Sequence, residues 1–237
     1  MIKANNLTMI YGGSKKAVDD LSFEIKGGEI VGFAGPNGAG KTTVIKILTG
    51  ILNPTEGNAV INGHDISLDP IGAKKSFAYV ADNPDMLLQL KGIEFLNYIA
   101  DLYDVSADDR KKRINELAER FDILDALGGP IREYSHGMRQ KLMVTAALIH
   151  EPPAWILDEP MTGLDPASSH ELKEMMKEHA KKGNAVLFST HVLEVAEKLC
   201  DRIIIISHGH DIYQGTVEAL QAKNPGRDLE EIFIEMT

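Results

Sequence analysis

The sequence predicts an α/β fold: a mostly parallel sheet with flanking helices, plus an N-terminal antiparallel β sub-domain and an inserted all-helical sub-domain. Three observations predict it. Short apolar runs, bounded by glycines or acids, alternate with helical periodicity at both ends of the chain, as strands and helices of a parallel sheet do. Residues 2–25 read instead as strand, turn and strand, pivoting on Tyr11-Gly12-Gly13. Residues 85–149 carry helix signals and almost no strand signals.

Taken in order, the strand pair at 2–10 and 17–25 is followed by the run Glu29-Ile30-Val31-Gly32-Phe33-Ala34, expected to be a central strand. A helix over 41–48 stops at Gly50, and further strands are expected at 58–61 and 77–80. In the helical stretch, Ser106 with Asp109 forms a capping-box start, and Ile114, Leu117, Ala118 and Phe121 share one face. Lys111, Lys112 and Arg113 are expected on the solvated side of that helix. Alternation resumes with a strand at 155–157, a helix at 166–181, a strand at 185–189, a helix at 192–199 and a strand at 202–207. His208-Gly209-His210-Asp211 reads as a hairpin turn rather than a metal site, since two histidines without further ligands hold a metal poorly. The expected organisation is one domain over 1–237, with an α/β core at 1–84 and 150–222, the helical sub-domain at 85–149 and a tail at 223–237 that packs on its own domain.

Composition excludes several functions. A net charge of −10 argues against a chain built to grip nucleic acid, which demands surplus Lys and Arg. A single cysteine, Cys200, allows no internal disulfide and fits a reducing compartment. No segment approaches the roughly 18 apolar residues of a spanning helix, and the start of the chain shows no leader pattern, so a cytoplasmic protein is expected.

The chemistry gathers in a few motifs. Gly35-Pro36-Asn37-Gly38-Ala39-Gly40-Lys41-Thr42 lies between a strand and a helix, the setting of a phosphate-binding loop. Its glycines let backbone N–H groups converge on an anion, and the helix start adds its positive pole. Lys41 brings a mobile charge to the outer phosphates, and the Thr42 hydroxyl can ligate Mg²⁺. Trp155-Ile156-Leu157-Asp158-Glu159 is an apolar strand ending in two acids: Asp158 suits a metal, and Glu159 suits a general base. Ser135 and Gly137 open an apolar helix, an end that could bind an anion but that, read alone, is more simply a capped helix start. Asp165-Pro166 reads as N-cap and first helical residue, and His191 stands just past a strand.

In this order and spacing the motifs resemble the nucleotide-binding domain of the ABC transporter superfamily, whose core is that of the P-loop NTPases, over almost the whole chain. Residues 35–43, through Thr43, resemble the Walker A loop; Tyr134-Ser135-His136-Gly137-Met138 stands in the signature position; Leu157-Asp158-Glu159-Pro160 resembles Walker B; Gly163-Leu164-Asp165 resembles the D-loop, and His191 the switch histidine. The signature departs from the commonest Leu-Ser-Gly-Gly-Gln, and Asp82 stands where the family usually has the lid glutamine. With the Ser-x-Gly-Met-Arg-Gln-Lys signature, that departure looks like the ABC-2 export branch.

The resemblance implies an ATPase using ATP and Mg²⁺. Tyr11 would stack on adenine with Val18 as an apolar floor; Gly35, Pro36, Asn37, Gly38, Ala39, Gly40, Lys41, Thr42 and Thr43 would hold the phosphates; Thr42, Asp158 and Asp82 would serve the metal; Glu159 and His191 would be catalytic. Two copies, or one copy and a paralogue, would pair head to tail, with Ser135 and Gly137 completing the other copy's site. An integral membrane permease would be the partner, placing the chain at the inner face of the cell membrane. The competing reading is a soluble ATPase of this type serving cofactor assembly or another non-transport role. The chromosome-maintenance class fits poorly, because about ninety residues separate loop and signature with no sustained heptads.

Overall fold

The computed structural model describes residues 1–83 and 87–237. Four strands, β1 (Ile2–Tyr11), β2 (Lys15–Ile25), β4 (Glu56–Ile61) and β5 (His64–Asp65), form an antiparallel sheet in the order β2-β1-β4-β5. Six more form the second sheet: β3 (Ile30–Ala34), β6 (Phe77–Val80), β7 (Ala154–Leu157), β8 (Ala185–Thr190), β9 (Arg202–Ser207) and β10 (His210–Gly215), ordered β10-β9-β3-β8-β7-β6. This sheet is parallel except for the β9–β10 hairpin. The predicted fold class is the observed one.

Local rules explain the elements. Strands β3 and β8 are buried at every position, as the middle of a sheet covered on both faces requires. In the antiparallel sheet Ile2, Ala4, Leu7, Leu21, Phe23 and Ile25 turn inward and pack with Val31, Phe33, Leu187 and Ile204 of the parallel sheet. The turns His208-Gly209 and Asn62-Gly63 have positive φ at both residues (50° and 85°; 50° and 88°), the backbone of a two-residue hairpin.

Nine helices are described: α1 (Lys41–Leu48), α2 (Pro70–Lys75), α3 (Gly92–Leu102), α4 (Ala107–Arg120), α5 (His136–Leu148), α6 (Pro166–Lys181), α7 (Leu193–Leu199), α8 (Val217–Lys223) and α9 (Leu229–Met236). Among the described residues of 87–149 there is no strand, only α3, α4, α5 and two short 3-10 turns. The division between core and insertion expected at residues 84 and 85 lies outside the described residues. Helix α4 starts at its Ser106 cap and buries Ile114 and Ala118, with Phe121 just beyond its end. Helix α9 buries Leu229 and Ile232 in a cluster with Leu193, Ala196 and Leu220.

One expectation on α4 is corrected. Lys111 and Lys112 are exposed, but Arg113 is half-buried, donates to the Ile149 carbonyl at 2.9 Å and pairs with Glu151 at 2.7 Å. It fastens α4 to the far end of α5. Its partners lie more than thirty residues away, beyond the reach of a helix-face argument.

Among the described residues no helix is long and apolar enough to cross a membrane.

Candidate functional site

The loop from β3 to α1 can form only with its glycines. Gly40 has φ 111°, and a Cβ there would come within 2.5 Å of the Ala17 carbonyl oxygen; a Cβ on Gly35 would come within 2.4 Å of the Ile206 carbonyl oxygen. The loop is thus pressed against β2 on one side and β9 on the other. Helix α1 begins at Gly40 with no side chain capping its first N–H groups, which leaves that end suited to an anion. Lys41 is only 8% exposed and runs back along the loop, donating to the carbonyls of Gly35 at 2.5 Å and Pro36 at 3.2 Å. Burial pushes its pKa down, while the carboxylates of Glu159 and Asp158 pull it up.

Facing the loop, β7 ends in its two acids. Asp158 is 1% exposed; its N–H donates to the Val80 carbonyl at 2.8 Å, and its Oδ1 accepts from the Ser189 hydroxyl at 2.5 Å. Burial raises its pKa, the Ser189 hydrogen bond opposes that, and Asp82 and Glu159 add repulsion. The Thr42 hydroxyl lies close enough to favour the ionised form, yet Asp158 Oδ2 is buried without a hydrogen-bond partner. Glu159 adopts φ 47°, unusual for a residue with a side chain. Its N–H donates to Ser189 Oγ at 2.9 Å, and its Oε2 lies 2.9 Å from Nδ1 of His191. A buried and a half-buried acid opposite a buried lysine at a helix start suit a polyphosphate, with one carboxylate placed to act on a water.

Between loop and acids opens a cleft of about 550 Å³. Tyr11, Asn37, Gly38, Gly40, Lys41, Thr42, Thr43, Asp82, Asp158 and Glu159 all wall it. Tyr11 is 40% exposed, leaving its ring free to meet a flat base. Gly35, Pro36 and Ala39 belong to the same loop but do not wall the cleft, and His191 reaches it through Glu159. Val18 has no exposed surface and stands behind the wall that Ala17 provides, so it is no floor for a ligand. A larger cavity, about 660 Å³, lies by α4 and α6 with Trp155 in its wall, and none of the motif carboxylates, loop residues or signature residues line it. Chemistry rather than size locates the site.

The oxygen donors fit a hard divalent cation. Thr42 offers a hydroxyl, Asp158 an oxygen already stripped of partners, and Asp82 a second carboxylate in the same wall. Among the described residues no cluster of three or more His, Cys, Asp or Glu side chains could hold a metal, so the chain supplies only part of a coordination shell. That is the usual state of a magnesium ion that also binds substrate phosphates.

Ser135 and Gly137 lie elsewhere, outside the cleft wall. Ser135 caps α5, accepting from the Met138 N–H at 3.2 Å. A Cβ on Gly137 would come within 2.7 Å of the Gly163 carbonyl oxygen, and one on Gly163 within 2.3 Å of the His136 ring. Lys141 pairs with Asp165 at 2.8 Å, and the buried Gln140 donates to the Pro160 carbonyl at 3.3 Å. The start of α5 is therefore clamped to the loop that begins at Glu159. Sequence reasoning found both motifs and missed this clamp, along with Ser189; in the string Ser189-Thr190-His191 only the histidine announces chemistry.

A family model described as ABC transporter matches residues 18–162. The chain is 36% identical over 220 residues to the ABC transporter ATP-binding protein NatA of Bacillus subtilis, covering 92% of this chain and 89% of that protein. It is 37% identical over 221 residues to the doxorubicin resistance ATP-binding protein DrrA of Mycobacterium tuberculosis, covering 93% of this chain and 67% of that one. Among solved structures, an ATP-binding subunit of an ABC transporter superposes with a TM-score of 0.94 at 33% identity, covering 100% of this chain and 99% of that one. A dimeric ATP-binding cassette, MJ0796, in a post-hydrolysis state with ADP and Pi superposes with a TM-score of 0.82 at 25% identity, covering 92% and 99%.

Proposed function

The chain belongs to the ABC transporter family as an ATP-binding ATPase subunit, and on that premise we propose how its residues divide the work. The observation that carries the proposal is the grip of one strand end on another: Ser189 and His191, at and just past the end of β8, hold Asp158 and Glu159 opposite the phosphate loop. The loop amides and Lys41 bind the phosphates, and Tyr11 stacks on the adenine. Thr42, Asp158 and Asp82 hold Mg²⁺, which when bound neutralises phosphate charge. Glu159 takes a proton from the attacking water, and His191, hydrogen-bonded to its carboxylate, keeps that carboxylate aimed.

Because Ser135 and Gly137 lie outside their own chain's cleft, they serve the cleft of a second copy in a head-to-tail pair, homodimeric or with a paralogue. The MJ0796 dimer supports the pairing. The likeness to DrrA, a resistance protein by name, supports export through a separate membrane permease, with this chain peripheral at the inner face of the membrane. The expected core, helical insertion and tail correspond in this reading to nucleotide site, signature carrier and closing helix.

Two measurements test it. Chelating Mg²⁺ with EDTA should abolish hydrolysis while ATP remains bound; hydrolysis persisting in EDTA would remove the metal from the mechanism. The tagged chain, purified in detergent from cells that express its chromosomal neighbours, should bring an integral membrane polypeptide whose own tag retrieves this chain. Recovery only with soluble partners would contradict the permease reading.

A further inference from the structure

We propose that Ser189 is a positioning residue whose single hydroxyl sets both acids of the site, leaving one oxygen of Asp158 to the cation and holding the backbone of Glu159 in its unusual conformation. The inference rests on the proposed reading of Asp158 as a metal ligand and Glu159 as the base. Ser189 is fully buried near the end of β8, and the β7–β8 register, with Leu157 opposite Phe188, brings it alongside Asp158. A hydroxyl has one proton to donate and lone pairs to accept with. Here the proton goes to Asp158 Oδ1 at 2.5 Å, and a lone pair accepts the Glu159 N–H at 2.9 Å.

Two consequences follow from that division. With Oδ1 engaged, Oδ2 remains as the buried oxygen without a partner, beside Thr42, and a cation would satisfy it. With its N–H engaged, Glu159 is held at φ 47°, a backbone that costs free energy for a residue with a Cβ and persists only under external constraint. That backbone, together with the 2.9 Å contact to His191, fixes where the Glu159 carboxylate lies. Alanine at 189 would leave the acid free to rotate either oxygen toward the metal and would release the Glu159 amide. Ser189 is the described side chain that bonds to both Asp158 and the Glu159 N–H.

The test uses the full chain and measures ATP affinity by calorimetry in MnCl₂ and in EDTA, beside steady-state kcat and KM. Ser189→Ala should bind ATP in EDTA within about twofold of the parent and lose about tenfold of the tightening that Mn²⁺ brings, the effect of one hydrogen bond to a charged group. Its kcat should fall at least tenfold and its KM should rise by no more than the tenfold lost in metal-dependent affinity, and Ser189→Thr, which keeps the hydroxyl, should recover most of both. Unchanged metal-dependent affinity and kcat in Ser189→Ala would overturn the proposal. So would an equal loss in Mn²⁺ and EDTA from a folded variant, since that marks general damage to the site. Should Ser189→Ala fail to fold, Ser189→Cys, near in size and only a weak donor, carries the same expectations. Asp158→Asn separates the two layers: if Mn²⁺ tightens ATP as well in that variant as in the parent, the reading of Asp158 fails, whatever Ser189 does.

Discussion

The two ends of the proposed ATP site are built differently. At the phosphate loop and the strand ends, the functional groups are cross-braced and two of them, Lys41 and Asp158, are buried: Lys41 on its own loop carbonyls, Asp158 on Ser189, and the half-buried Glu159 between Ser189 and His191. At the start of α5, Ser135 is exposed and its hydroxyl is spent on an ordinary helix cap. The first end can be read as a site from this chain alone. The second is clamped to the Glu159–Asp165 loop and stands outside the wall of the cleft. On the proposed reading, closure of two chains, rather than ATP binding alone, is the step that assembles the chemistry.

The comparison breaks first at Lys41. Lys41→Ala should weaken ATP binding about a hundredfold, the scale of a buried charge on phosphate, while leaving the fold intact; this is read by equilibrium binding. Undiminished affinity would mean the braced end is not the phosphate site. Ser135→Ala sharpens the contrast from the other side. It should leave the ATP affinity of the isolated chain within about twofold, cost about 1 kcal/mol of stability through the lost cap, and cut kcat at least tenfold. A loss of affinity in the monomer equal to that of Lys41→Ala would contradict the division between the two ends.

A smaller effect concerns how the helical part is held to the core. His150, just after α5, stacks on Tyr103 at 3.7 Å and bonds to the Phe77 carbonyl of β6 at 3.2 Å. Burial is the main cause that lowers its pKa from 6.5 to about 4. Because the folded value lies below the unfolded one, its contribution is fully present above pH 6.5 and is lost as pH falls through about 4, where the folded chain also takes up the proton. Stability should decline across that window by about 1–3 kcal/mol, measured by denaturant unfolding at each pH. In His150→Gln the slope should flatten; a slope unchanged by the substitution would assign it to other groups.

How far the sequence reaches depends on the distance over which each feature is specified. Helices α1 and α6 match their expected bounds because their signals are local: glycine on either side of α1, and Asp165 with Pro166 at the start of α6. The loop and the acid pair were legible for the same reason. Val18, which the family resemblance offered as a floor for the base, is turned inward because β2 does not alternate strictly. Asp20 takes φ 51°, so the inward residues are Val18 and then Leu21, three apart, and Ala17 is left to line the cleft. Arg113 and Ser189 act on partners 36 and 31 residues away along the chain, and no local periodicity carries such information. Likewise, Gly137 and Gly163 reveal their shared packing only once α5 meets the loop after β7.

The most direct test of a site shared between two copies is the Glu159→Gln variant at saturating ATP and Mg²⁺, its mass followed by light scattering. Removing the base should slow hydrolysis about 10²–10⁴-fold without removing the phosphate contacts, so the chain should accumulate as a dimer that dissociates when nucleotide is withdrawn. A variant that stays monomeric at saturating nucleotide would contradict the account.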